Sequence, residues 1–225
     1  MKATIYKTAP ETKLAVLDNE LDAISYWASK SNNKEIYNWL CDFLIKCAPE
    51  YFWWVPASST GRFHPKSQHN ECGLLNHTRS AFRVGIDLLD TNLFATYEDR
   101  DKLIVMTAIL LHDTFKYSPE VEAELNKALE TKKYSEYIKD FELGNSLHSH
   151  PTLAAEHIRA SFQGNEIVEE IAKCVETHMG KWTKSENSEV TLKEPTSSKQ
   201  KFVHLCDYIA SRPDIEVSVN NKYEF

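Results

Sequence analysis

The sequence predicts an all-α protein, and three observations carry the prediction. Apolar residues recur at spacings of three and four through most of the chain. Strict turn formers are few, with six glycines and eight prolines in 225 residues. Residues 103–111 form an almost unbroken apolar run that ends on two ionisable side chains, His112 and Asp113. Burial makes bare ionisable groups expensive, so a His-Asp pair closing a core helix points to a shared ligand, most simply a metal ion.

The elements follow in order. Residues 13–29 place Leu14, Leu17, Leu21, Ile24 and Trp27 on one helical face. A second amphipathic helix carries Ile36, Trp39, Leu40, Phe43 and Leu44, and Pro49 stops it. Together they predict a hairpin, residues 1–50, that packs as an N-terminal helical extension on a core of residues 51–225. Residues 50–72 have no periodicity, and a connection of that length is often functional. It opens on Tyr51, Phe52, Trp53 and Trp54, read as packing that pins the loop, with base stacking the alternative. It then concentrates Arg62, His64, Lys66 and His69, candidate anion contacts. Gly73 opens a helix that turns His77 inward, and Asp99 or Asp101 is the expected cap of the helix reaching His112. Residues 119–139 read as a charged, solvated helical face. Pro151 belongs to a first helical turn, so His150 sits near a cap. Ile167, Ile171, Val175 and His178 line one helical face, which Gly180 ends. A last helix over residues 199–212 puts Val203, Asp207 and Ala210 on a shared face, Pro213 ends it, and the tail reads as frayed apart from a docking role for Phe225.

Composition narrows the function classes. The length suits one domain. A net charge of −7 excludes nonspecific attraction of the whole surface to nucleic acid or anionic lipid, and no stretch reaches the roughly 18 apolar residues of a membrane span. The five cysteines are odd in number and form no Cys-x-x-Cys pair, and the amino terminus shows no export signal. A cytoplasmic protein with reduced thiols and no membrane partner is expected.

Five helical segments would each bury a group of metal-ligand type: His77, His112 with Asp113, His150, His178 and Asp207. Each has a plainer reading alone. His178 could be a satisfied core histidine, Asp207 a partner of Arg212, and His77 a backbone-bonded imidazole. Jointly these readings weaken, and the imidazole and carboxylate set suits Zn, Fe, Mn or Ni.

At these residues the chain resembles the HD-domain superfamily of metal-dependent phosphohydrolases. His77, His112-Asp113 and Asp207 match its H…HD…D ligands. Gly73-Leu74-Leu75-Asn76-His77-Thr78 is similar to its opening motif, and His112-Asp113-Thr114-Phe115-Lys116 to its HD-x-x-K segment. The likeness spans residues 51–215 and implies an HD-domain helical bundle. Its closer form is to YhaM-like exoribonucleases and relaxase-associated HD domains, carried by Pro56-Ala57, His64 and His69.

The resemblance implies two divalent ions (Mn, Mg, Ni, Zn or Fe), with His150 and His178 as extra ligands and Asp113 bridging. His148 and His157 are rivals for the place of His150. It further implies a metal-activated hydroxide attacking phosphorus, with Asp113 and Lys116 as catalytic groups. Arg62, Lys66, Arg79, His64 and His69 would contact the substrate. No nucleic-acid-binding barrel is visible before the core, so the expected substrate is a nucleotide or other phosphate ester, or a single-stranded nucleic-acid end. Two alternatives share the fold: a mixed-valent di-iron oxygenase cleaving a C–C or C–P bond, and a noncatalytic nucleotide-binding protein.

A ligand bound only by the native state stabilises it by mass action. Verified removal of metal by a chelator is expected to lower the melting temperature by several degrees in a thermal scan, and an unchanged transition would contradict a buried metal centre.

Overall fold

The computed structural model describes residues 10–58, 63–117, 150–180, 191–219 and 223, and every regular element among them is helical. The α-helices are α1 (Pro10–Ala15), α2 (Asp18–Lys30), α3 (Lys34–Lys46), α4 (Gly73–Leu89), α5 (Asp99–Leu111), α6 (His150–Ser161), α7 (Glu166–Glu176) and α8 (Ser198–Ala210). Short 3-10 turns cover Glu50–Trp53, Lys66–Gln68 and Asn92–Phe94. The described residues contain no helix long and apolar enough to cross a membrane.

Helix α5 is the axis of the bundle. Every residue from Leu103 to Leu111 is buried, and α2, α4, α7 and α8 pack around it. That surround explains why its sequence shows no polar face: a helix enclosed on all sides has none to spare. Its cap is Glu98, not Asp99 or Asp101. The Glu98 side chain accepts from the Asp101 backbone, and the Asp101 carboxylate accepts from the Glu98 N–H at 3.3 Å. Such a reciprocal box needs an extended residue three positions before its partner, and Glu98 has φ −78 and ψ 167.

The single helix expected over residues 13–29 is two. Val16 and Leu17 donate to Lys13 and Leu14 in three-residue turns, which closes α1 before Leu21 bonds back to Leu17 in α2. Leu17 is fully buried at the break, so docking of this leucine takes precedence over helix continuity. Helix α3 then reaches the far side of the bundle. Trp39 Nε1 donates to Ser161 Oγ at 2.9 Å, and the Phe43 ring meets Phe115 edge-on at 6.3 Å. Phe115 lies two residues beyond Asp113, so the N-terminal helices buttress the turn on which the His-Asp pair sits.

The tail is not frayed at Tyr223. Its hydroxyl donates to the buried Glu20 carboxylate at 3.2 Å, and its ring lies 5.6 Å from Phe82. Arg79 Nε donates to the same Glu20 oxygen at 3.2 Å. A buried carboxylate keeps its charge only with such partners. The expectations for residues 119–139 and for Phe225 lie outside the described residues.

Helices α6 and α7 are joined by Arg159, which reaches Glu169 at 2.9 Å and Glu176 at 3.1 Å, while Lys193 reaches Glu176 at 3.0 Å. Burial pushes the Glu176 carboxyl up, but Lys193 and Arg159 more than offset this and hold it below the ordinary glutamate value. A depressed carboxyl adds stability above its unfolded pKa and loses it as pH falls through the folded one. Glu176→Gln is therefore expected to melt lower than wild type at pH 7, with the two melting curves converging below about pH 4.

Candidate metal centre

His112 and Asp113 follow the last residue of α5, where helical carbonyls have no intrahelical partner. His112 uses this: its Nδ1 donates to the Ile109 carbonyl at 2.6 Å. His178 repeats the device beyond α7, donating Nδ1 to Val175 at 2.7 Å. In both rings the bond leaves Nε2 as a bare lone pair facing inward, the tautomer that metal ligation requires. His77 projects from the second turn of α4, His150 from the first residue of α6, and Asp207 from the last turn of α8.

The six side chains fall into two groups of three. His77, His112 and Asp207 form one, and Asp113, His150 and His178 the other. In the first, His77 Nε2 lies 3.2 Å from His112 Nε2 and 3.0 Å from Asp207 Oδ1. In the second, His150 Nε2 lies 3.0 Å from both His178 Nε2 and Asp113 Oδ1. Asp113 belongs to both by position. Its Oδ1 is 3.6 Å from His178 Nε2, while Oδ2 is 3.8 Å from His77 and 3.7 Å from His112.

The chemistry of the donors fits a cation. Ligand bonds of about 2.0–2.2 Å set neighbouring donor atoms roughly 3–3.5 Å apart, close to the separations within each group. Bare imidazole nitrogens at such distances repel unless a proton or a metal lies between them. The imidazole and carboxylate mixture, with no cysteine, suits divalent first-row ions.

Electrostatics agree. Burial pushes His112 down to about 4, against the pull of Asp113 and Asp207. Burial also lowers His150, partly opposed by Asp113. For His178 the desolvation is outweighed by Asp113 and Asp207, and its pKa rises. Desolvation would raise Asp113, but the Lys116 ammonium and His112 hold it well below the carboxylate range. Asp207 is likewise depressed against burial by its bond to His77 and by His112.

The structure places the remaining candidates unequally. Lys116 Nζ bonds to Asp113 Oδ2 at 2.8 Å, so it grips a clustered carboxylate directly. His64 is buried, its ring edge-on to His77 at 4.9 Å, and its Nδ1 has no hydrogen-bond partner. Burial, with His77 and Lys116 beside it, pushes His64 down to about 2. It is neutral at pH 7, a hydrogen-bonding group rather than a cationic anion contact. His69 holds that loop in place, its ring nitrogen 2.6 Å from the His64 carbonyl. Lys66 is exposed on its 3-10 turn.

Arg79 is turned away from the centre. It pairs with Glu20 and donates to the Val219 carbonyl at 3.0 Å, so its donors serve the fold. His157 stacks on Phe115 at 4.1 Å and belongs to neither group. Arg62 and His148 lie outside the described residues.

The loop before α4 is tied down by backbone bonds. Cys72 donates to Trp54 at 2.7 Å, Leu74 to Val55 at 2.9 Å, and Ala57 to Gln68 at 3.0 Å. Gly73 admits this close approach, because a Cβ there would lie 2.0 Å from the Gln68 carbonyl oxygen. The aromatics Tyr51, Phe52, Trp53 and Trp54 are all buried, which makes them core packing and not a base platform. One residue near the centre had no role assigned from the sequence: His204, whose Nδ1 donates to the His178 carbonyl at 2.8 Å. Its only signal was a histidine three positions before Asp207 on the same helix.

An α-helical bundle that converges five histidine and aspartate-bearing segments on a buried cation site defines a class of metal-binding helical proteins. The chain belongs to the HD domain family, whose model matches residues 74–212, more than half its length and all six clustered residues. Membership places it in the superfamily of metal-dependent phosphohydrolases. No curated protein and no solved structure matches the chain.

Elemental analysis is expected to find that His178→Ala holds about one ion fewer than wild type, because the second group keeps only Asp113 and His150. His112→Ala is expected to disrupt both groups, since its ring adjoins His77 and the shared Asp113. A metal count unchanged by His178→Ala would remove that residue from the ligand set.

Proposed function

We propose that the protein hydrolyses a phosphate ester of a nucleotide or of a nucleic-acid end, using two divalent ions that share Asp113. The observation that carries this reading is the Asp113 carboxylate, whose two oxygens face different histidine groups. Divalent ions held as a close pair lower the pKa of water and polarise phosphoryl oxygens.

The protein side of the chemistry follows from the described residues. His77, His112 and Asp207 would hold one ion, and His150 and His178 would hold the other, with Asp113 available to both. Five of these side chains are at most 4% exposed, whereas Asp207 is 18% exposed. Asp207 is thus the most open of the six, and a substrate would reach the site on its side. Low dielectric there strengthens every charge that faces the phosphoryl group. Lys116 is 11% exposed beside Asp113 and brings positive charge to the place where oxyanion charge grows. Neutral His64 offers its unpartnered Nδ1 to a water or a phosphoryl oxygen.

The Pro56-Ala57 and His64 pattern, similar to YhaM-like enzymes, supports the nucleotide or nucleic-acid-end class. The net charge of −7 favours a small substrate over a long polyanion. The same six side chains would suit di-iron oxygen chemistry, and the products separate the two. Purified protein, loaded in turn with Mn, Mg, Ni, Zn or Fe, is to be incubated with nucleotides and short single-stranded oligonucleotides. Phosphate or nucleotide release supports the reading, and oxygen consumption with two bound irons and no phosphate release overturns it.

In that assay Lys116→Ala and Lys116→Met are each expected to lower turnover at least tenfold, about 1.4 kcal/mol of transition-state stabilisation, with the metal count unchanged. Turnover within about twofold of wild type in both variants would leave Lys116 without a catalytic role.

A further inference from the structure

His204 is not one of the six clustered side chains, yet it connects their two groups. It stands on α8 one turn before Asp207, and its Nδ1 donates to the backbone carbonyl of His178 at 2.8 Å. His178 itself lies beyond α7, which ends at Glu176. The backbone there closes only in tight turns, His178 donating to Val175 at 3.3 Å and Gly180 to Thr177 at 3.1 Å. Helix α8 thus reaches across and holds a carbonyl that lies beyond the end of α7.

Gly180 makes room for this contact. Its φ is +59, a left-handed conformation that glycine adopts without strain. A Cβ at this position would lie 2.2 to 2.5 Å from three atoms of the His204 ring. A ring pushed out of that space would be displaced from its bond to the His178 carbonyl. Two residues distant in sequence, Gly180 and His204, are therefore matched to one hydrogen bond.

We infer that His204 is a positioning residue for the second cation, fixing the His178 end of one group against the helix that carries Asp207 of the other. The inference rests on the two-ion reading given above. It also says which ion feels the loss. Asp207 is held within α8 by helical bonds, whereas His178 sits in a turn, so a broken clamp frees His178 and spares the first group. A histidine that merely packs would leave the two affinities in their original ratio.

The test uses full-length protein stripped of metal and titrated with Mn2+ alone, the bound ions counted by electron paramagnetic resonance. Wild type is expected to bind two. His204→Leu is expected to weaken the second ion at least about tenfold, within the 10–100-fold range for residues that orient ligands, and to leave the first within about threefold. His204→Asn, whose amide N–H can reach the same carbonyl, is expected to restore the second ion. Gly180→Ala keeps the imidazole but displaces it, and is expected to weaken the second ion as His204→Leu does. It decides the matter if His204→Leu does not fold. Wild-type affinity for both ions in Gly180→Ala or His204→Leu overturns the inference and leaves the metal centre standing. Equal weakening of both ions, or no rescue by asparagine, also overturns it. Wild type that takes up no Mn2+ removes the two-ion reading and this inference together.

Discussion

The structure depends on a single carboxylate. Asp113 is 3% exposed and lies within 3.0 to 3.8 Å of imidazole nitrogens from four different segments. A charge in that position is tolerated only if cations or donors surround it. The fold supplies Lys116 at 2.8 Å and four histidines, and the donor set is arranged for metal ions to complete. Everything that places α4, α5, α6, α7 and α8 relative to one another also places one of the clustered side chains.

Around that carboxylate the protein uses one local device more than once. A histidine just beyond a helix end returns its Nδ1 proton to a carbonyl of the last turn and aims Nε2 inward. The bond ties the ring to a carbonyl of the last turn and selects the tautomer at the same time, so helix termination and side-chain orientation are one event. His77 has no such bond, and its Nδ1 is buried without a partner. Its orientation comes from packing in α4 and from Asp207 at 3.0 Å. Helix α3 acts at one remove, through Phe43 on Phe115, and the 3-10 turn over Glu50–Trp53 adds Tyr51, whose hydroxyl accepts from the Tyr117 N–H at 3.1 Å. Both contacts fall just beyond Asp113, on Phe115 and Tyr117.

Family membership and geometry bear on different questions. The match over residues 74–212 establishes the bundle and the superfamily's metal-dependent phosphohydrolase character. The separation of the six side chains into two groups is a property of the tertiary structure. Hydrolysis of a nucleotide or nucleic-acid end is the reading that joins the two, and it draws its substrate class from motif likeness and charge.

The sequence by itself determined the helical class, the course of most helices and the inward-facing ligand candidates. Those features are written in local periodicity, in apolar runs and in ionisable groups where burial would otherwise be costly, and such signals need no knowledge of neighbours. Helix α5 was legible from residues 103–111 because a fully enclosed helix is apolar all round. The break at Leu17 was not, because it depends on where that leucine docks. Arg79 looked like an anion contact two residues after His77, yet Glu20, fifty-nine positions away, claims its guanidinium. Tyr223 looked like tail and is held by the same glutamate. The distances that set the six side chains into two groups of three, and the contact of His204 with the His178 carbonyl opposite Gly180, were decided only in three dimensions. Each rests on distances between segments far apart along the chain, and a linear pattern carries no information about which lone pair faces which.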